Sequence, residues 1–326
     1  MRQAGRYMPE YRALRARYSM LETIHAPELA AEITMQPVAA FDIDAAIIFS
    51  DILPPLAGMG LHLEFVKGVG PRIDSPIRSL AQIESLATPQ MADVMAGTLE
   101  AIRMVKRELA TKELPLIGFA GAPFTLASYA IEGGGSKNHA HAKRLMYSDP
   151  DGWDALMSKL CVVITDYLLE QASAGVDALQ LFDSWAGAVG RLDYERYVRP
   201  YTSRVLEAVA GSGLPVISFS TGTSGYLASV AQAGGDVVGV DFRLPLDAAW
   251  DQVGFDRAIM GNLDPVLLQA PWETLKAGSE DVLNRAGGRP GHIFNLGHGI
   301  LPETPTDNVR RLVDFVHERT AVARSL

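Results

Sequence analysis

Two arginines open the chain four residues apart, Arg2 and Arg6, with Gly5 between them and Pro9 just beyond, in the run Met1-Arg2-Gln3-Ala4-Gly5-Arg6-Tyr7-Met8-Pro9-Glu10-Tyr11-Arg12. Glycine and proline are poor helix-interior residues, and two guanidinium forks around a glycine suit a loop that closely approaches an anionic ligand. The competing reading is an exposed basic tail, since arginines are mostly surface residues. Further along, polar groups follow short apolar runs: Asp51 after residues 45–50, Ser184 after 178–182 and His298 after 293–296, with Tyr129 beyond a run at 114–119. A carboxylate, a hydroxyl, a phenol and an imidazole at such positions can bind a polar ligand and move protons. Each also has a structural reading. Asp51 before Ile52 suits a turn or N-cap, Ser184 a helix cap, His298 between glycines a turn, Tyr129 a core aromatic, and Asp241 either a cap or a site group. The joint placement at run ends is what points to a site.

The elements that would carry these residues alternate. Continuous apolar runs at 45–50, 114–119, 178–182, 216–220, 237–241, 258–260 and 293–296 predict strands buried on both faces of a parallel sheet. Helical spacing predicts helices over 26–41, 89–110, 151–174, 194–210 and 305–322, with another helical stretch holding Tyr129. Residues 61–77 read as a hairpin-like excursion, and Glu132-Gly133-Gly134-Gly135-Ser136 as a glycine-rich loop that could cradle a phosphate, though no Lys-Ser/Thr pair follows it. Seven strands with intervening helices fit an α/β fold of the (β/α)8 TIM-barrel type, a single catalytic domain over residues 1–326. The eighth strand is expected in the segment leading into Arg2, so the first barrel strand is expected to be truncated at the N-terminus. A doubly wound open sheet would want a Gly-x-Gly-x-x-Gly turn after its first strand, which is absent. In a barrel the C-terminal strand ends converge on one mouth, which would gather Arg2, Arg6, Asp51, Tyr129, Ser184 and His298.

Bulk composition narrows the partners. Nearly half the residues are hydrophobic, 48%, and 21% are charged, the balance of a folded protein. A net charge of −9 argues against a nucleic-acid-binding surface, so an anionic ligand must meet a local basic patch. Apolar runs are too short to span a bilayer and no signal-type segment opens the chain, which predicts a cytoplasmic protein without membrane association. The single cysteine, Cys161, excludes an intrachain disulfide and a multi-thiolate zinc site, and its apolar helical surroundings predict a packing role. His139 and His141 lie in a polar helix-start region without a nearby third ligand and read as solvated, so no metal is expected.

The opening run closely resembles the N-terminal signature of the uroporphyrinogen decarboxylases. Similar segments follow in the family's order: Ile48-Phe49-Ser50-Asp51-Ile52-Leu53, Gly121-Ala122-Pro123-Phe124-Thr125-Leu126, Glu132-Gly133-Gly134-Gly135-Ser136, Phe182-Asp183-Ser184-Trp185-Ala186-Gly187, Gly261-Asn262-Leu263-Asp264-Pro265 and Asn295-Leu296-Gly297-His298-Gly299-Ile300. The resemblance implies a (β/α)8 barrel, usually a homodimer, with no metal or organic cofactor. It implies removal of the four acetate carboxyl groups of uroporphyrinogen III to give coproporphyrinogen III in tetrapyrrole biosynthesis. By the same resemblance Arg2, Gln3 and Arg6 would bind substrate carboxylates, Asp51 would face the pyrrole N–H groups, and Tyr129, Ser184 and His298 would complete the pocket. Asp51, Arg2, Tyr129 and His298 are the candidate catalytic groups, and the proton donor stays open among Arg2, Tyr129, His298 and a bound water. Related barrels, the cobalamin and coenzyme M methyltransferases, use zinc held partly by cysteine thiolates, and that ligand set is missing here. A porphyrin-carrying barrel without chemistry is the alternative from another class.

Overall fold

Short runs of apolar residues without polar alternation become the strands of a parallel sheet, covered on both faces except in the last, His292–Leu296, where Ile293 is exposed. In the computed structural model, which describes residues 5–66 and 68–321, this gives β1 (Ala46–Ile47), β4 (Leu116–Gly121), β5 (Ala178–Asp183), β6 (Val216–Ser220), β7 (Val237–Gly239), β8 (Ala258–Leu263) and β9 (His292–Leu296). These form one sheet in the order β1-β4-β5-β6-β7-β8-β9, every neighbouring pair parallel. An antiparallel hairpin, β2 (Leu63–Val66) with β3 (Gly70–Ile73), stands apart as the expected excursion. Helices fill each crossover, so the fold is the α/β barrel type with seven parallel strands among the described residues. Arg2 and Gln3, and the segment expected to supply an eighth strand, lie outside the described residues.

Three helical expectations change in detail. Of the N-terminal stretch, residues 5–8 form a loop, and Pro9 takes the first position of a helix, Pro9–Arg17, where its missing N–H and fixed φ cost nothing. Ser19 and Glu22 then form a reciprocal capping box that starts Met20–His25. Residues 89–110 form two helices, Met91–Val94 and Ala96–Leu109, with non-helical backbone at Met95. The turn brings Gly97 against the end of Met20–His25, where an added Cβ would sit 2.3 Å from the His25 carbonyl oxygen. Residues 194–210 begin as a wide π turn, Tyr194–Val198, before Arg199–Ala210. Pro200 has no N–H to continue a regular ladder, and the wide turn accommodates it.

Alternation along β6 divides the core. Val216 packs toward the helices, whereas Ile217 and Phe219 join Val237 and Met260 in a separate cluster inside the barrel, with Ile117, Phe182 and Leu296 against it. Phe119, Phe182 and Phe219 meet edge to face across three strands, at centroid separations of 5.5 and 5.7 Å. β1 is too short to complete its side of β4: Ala46 and Ile48 donate to Pro115 and Ile117, and the ladder stops there. Gln171, fully buried on the helix Pro150–Ala174, takes over. Its carboxamide accepts from Phe119 N–H and donates to Phe119 C=O, each at 2.8 Å, as a paired strand would. Gln171→Leu keeps the volume but leaves both peptide groups without partners, so unfolding in guanidinium should show a loss of about 2 kcal/mol. A stability equal to wild type would mean that Gln171 is not substituting for the ladder.

Candidate functional site

β1 delivers Asp51 through a tightly held exit. Phe49 N–H donates to the buried Thr34 hydroxyl at 2.9 Å, and Ser50 Oγ lies 3.4 Å from Thr98 Oγ1. Asp51 Oδ1 accepts from Leu53 N–H at 3.0 Å, so the turn reading of this residue holds, and the partly exposed carboxylate is aimed by its own backbone. The segment carrying Arg6 docks beside it. Tyr7 stacks on Phe41, Tyr11 meets Phe49 edge-on at 5.9 Å, and Arg12 donates to the carbonyls of Arg6 and Tyr7. Arg6 is exposed on this anchored loop.

The exits of β4 and β5 form one unit. The helix Pro123–Glu132 begins where Ala122 N–H donates to Phe182 C=O at 2.8 Å. From it, Thr125 donates to Asp183 Oδ1 at 2.6 Å and accepts from Trp185 N–H at 3.1 Å. Tyr129, one turn later, packs on the Trp185 ring at 5.7 Å. Ser184, half-buried, lies between these contacts, and its carbonyl accepts from Thr221 Oγ1 at 2.7 Å. His139 is not solvated. It is 3% exposed, with its ring 5.1 Å from Trp185, because the glycine-rich loop folds back and starts the next helix, Ala140–Ser148, under the β5 exit. That loop holds no phosphate-cradle geometry: Gly133 ends its helix in the left-handed region and accepts from Ile73 N–H on the hairpin, while Glu132 Oε1 accepts from His141 and Ala142 N–H.

The remaining exits are linked in succession. Gly187 N–H donates to Thr221 C=O, and a Cβ at 187 would lie 2.6 Å from Gly222 Cα. Asp241 Oδ2 accepts from Gly222 N–H at 2.6 Å and pairs with Arg243 at 2.5 Å, which gives Asp241 the role of a loop clamp. Asn262 donates to the carbonyls of Asp241 and Leu244, and Gly297 N–H donates to Leu263 C=O. His298 follows, exposed, with Nδ1 accepting from Gly299 N–H at 2.7 Å, which leaves Nε2 of the neutral ring as the donor. The structure thus brings Tyr129 to Trp185, the residue after Ser184, and the Arg6 loop to the exit of Asp51, while His298 enters from β9, at the other end of the strand order. Thr125, Trp185, Asp183 and His139 were not among the residues singled out for the site. Their signal was their place inside or beside the family-like segments.

A model of the uroporphyrinogen decarboxylase (URO-D) family matches residues 1–319. The chain belongs to this family. It is similar to the uroporphyrinogen decarboxylase of Roseiflexus sp. (strain RS-1), 56% identical over 98% of this chain and 93% of that protein. The uroporphyrinogen decarboxylase of Chloroflexus aurantiacus is 55% identical over 97% of this chain and 90% of its own length. Among solved structures, a methyltransferase from Methanosarcina mazei superposes with a TM-score of 0.77 over 92% of this chain and 88% of that one, at 19% identity, a likeness of fold alone.

Within this family member, burial sets the protonation of the wall. Burial lowers the basicity of His139, and Cys161, buried with its thiol directed at the Tyr201 carbonyl, is pushed up to about 12 and acts in packing. Asp183, 5% exposed, is raised from 3.8 to about 6 by burial, against the opposing hydrogen bond from Thr125, and its Oδ2 has no hydrogen-bond partner among the described residues. Because the folded state holds this proton more tightly than the unfolded chain, its contribution is complete below pH 3.8 and is lost as pH rises through about 6. The amount is about 3 kcal/mol. Asp183→Asn should remove this dependence, so that guanidinium unfolding between pH 4 and 7 shows wild type losing stability relative to the variant. A difference that stays constant across that range would place the native pKa of Asp183 near its unperturbed value.

Proposed function

We propose that this chain removes the four acetate carboxyl groups of uroporphyrinogen III, giving coproporphyrinogen III, as a carboxy-lyase of tetrapyrrole biosynthesis. The carrying observation is the family match over residues 1–319, with named decarboxylases above 50% identity along nearly the full chain. The chemistry follows from the substrate. Protonating a pyrrole ring carbon makes an iminium-like electron sink. The C–C bond to the carboxylate then breaks, its electron pair flows into the ring, and CO2 departs; a second proton converts the remaining exocyclic methylene into methyl, and the ring carbon gives up the proton it first received, which restores the pyrrole. Each cycle therefore exchanges a carboxylate for a proton, and the reading requires neither a metal nor an organic cofactor.

Asp51 is the group we assign to the positive charge. An ionised carboxylate accepts pyrrole N–H bonds and favours the cationic intermediate electrostatically, more strongly in a cleft that excludes water. Arg2, Gln3 and Arg6 are assigned to substrate carboxylates, since guanidinium forks pair with them bidentately. Ser184 completes the binding wall. Tyr129 and His298 are assigned as substrate contacts with catalytic roles, and the proton is delivered by Arg2, Tyr129, His298 or a bound water. Of these, arginine is the hardest acid to use, because its unperturbed pKa is about 12.5 or above. No helix among the described residues is long and apolar enough to cross a membrane. We further read residues 1–326 as one catalytic domain, acting in the cytoplasm as a homodimer.

Anaerobic incubation with uroporphyrinogen III, followed by chromatography of the oxidised porphyrins, should show stepwise conversion from eight carboxyl groups to four. Bound but unaltered porphyrinogen would instead identify a carrier. Asp51→Asn retains an oxygen to accept Leu53 N–H, so the fold should persist while turnover falls about a hundredfold or more. Near-normal turnover in the folded variant would remove Asp51 from the mechanism.

A further inference from the structure

Trp185 is clamped at two points by one helix. Thr125 and Tyr129 stand four residues apart on Pro123–Glu132, and side chains at that spacing share a face. Thr125 holds the Trp185 backbone through its N–H, and Tyr129 meets the Trp185 ring at 5.7 Å with an interplanar angle of 58°. The Thr125 hydroxyl proton goes to Asp183, which leaves its lone pair for Trp185 and fixes one orientation of the pair. A second wall comes from His139, whose ring lies 5.1 Å from Trp185 at 52°. His139 has φ of 50° and ψ of 43°, a left-handed conformation that histidine adopts more readily than most non-glycine residues, and its N–H is held by Ser136 Oγ at 3.0 Å. Two groups in this wall, His139 Nδ1 and Asp183 Oδ2, are buried without hydrogen-bond partners among the described residues, so the arrangement is kept despite unsatisfied polar atoms.

We propose that Trp185 is a positioning residue for Tyr129, with its pose set by His139 and by the Thr125–Asp183 pair. The proposal rests on the reading of Tyr129 as a site group. A phenol has few rotatable bonds, so fixing its ring face fixes where the hydroxyl points. An aromatic neighbour prefers tilted contacts of this kind. A free Tyr129 ring would spread its hydroxyl over several directions, and small misplacements of a reacting group are costly in rate.

The test is a double-mutant cycle on uroporphyrinogen III turnover. Tyr129→Phe removes the hydroxyl and keeps the ring against Trp185. Trp185→Ala should lower kcat about tenfold with little change in KM, and should cause little further loss when Tyr129 is already Phe. Trp185→Phe, which keeps a ring, should recover most of that loss. Equal losses from Trp185→Ala in both backgrounds would assign it a general structural role and overturn the proposal. Wild-type turnover in Tyr129→Phe alone would instead remove Tyr129 from the site, and the proposal would fall with that reading. If Trp185→Ala does not melt cooperatively, His139→Ala takes its place in the same cycle, judged by the same two outcomes.

Discussion

A parallel sheet ends in a row of loops whose backbone groups have left the ladder, and those groups still require hydrogen bonds wherever the loops are packed. At the carboxyl end of this sheet each loop is satisfied largely by its neighbour. Thr221 reaches the Ser184 carbonyl, Asp241 takes the Gly222 N–H, Asn262 holds the Asp241 and Leu244 carbonyls, and Gly297 bonds to Leu263. The links run from β5 to β9 without a gap, so displacing one loop strips partners from the next. Rigidity at the mouth is therefore a shared property of the ring of loops. It is also the condition for a catalytic constellation, because groups mounted there keep their separations.

Beneath the ring the space inside the curled sheet is filled. Phe119, Phe182 and Phe219 stack edge to face, and Ile217, Val237 and Met260 fill the space beside them. A large ligand must remain at the mouth, with an apolar floor under it. Such a floor lowers the local polarity and strengthens any charge interaction formed above it. The polar groups at this end are thus presented by loops, while the strands supply an apolar base and fixed spacing.

Glycine also serves close approach among these loops. Gly187 lies against Gly222 where the β5 and β6 loops meet, and Gly297 lies against the Phe242 N–H, where a Cβ would be only 2.4 Å away. The polar links at these loops are short because no side chain separates the backbones. Gln171 solves the corresponding difficulty at the other side of the sheet, where β1 ends early and a helix residue completes the pairing of β4.

The sequence by itself determined the alternation of strands and helices, because covered strands read as continuous apolar runs, and all seven strands lie where those runs fall, although β9 is only partly covered. It also determined the family, through segments spread from the opening arginines to His298, and so the residues to inspect. It could not show that residues 89–110 turn at Met95, since that turn answers to His25, whose contact with Gly97 joins distant parts of the chain. Nor could it show His139 as buried: local polarity suggested solvent, and only the folding of the glycine-rich loop beneath the β5 exit placed the ring on Trp185. Asp51 was legible as both a turn residue and a carboxylate at a strand end; the structure has the turn, with the carboxylate four residues past the last residue of β1. The clamp of Thr125, Asp183 and Trp185 belongs to tertiary structure alone, because its residues come from the helix after β4, the end of β5 and the turn beyond it, and meet only when β4 and β5 pair. Local pattern reports which face of an element is apolar, and the partner that covers that face is chosen by the whole chain.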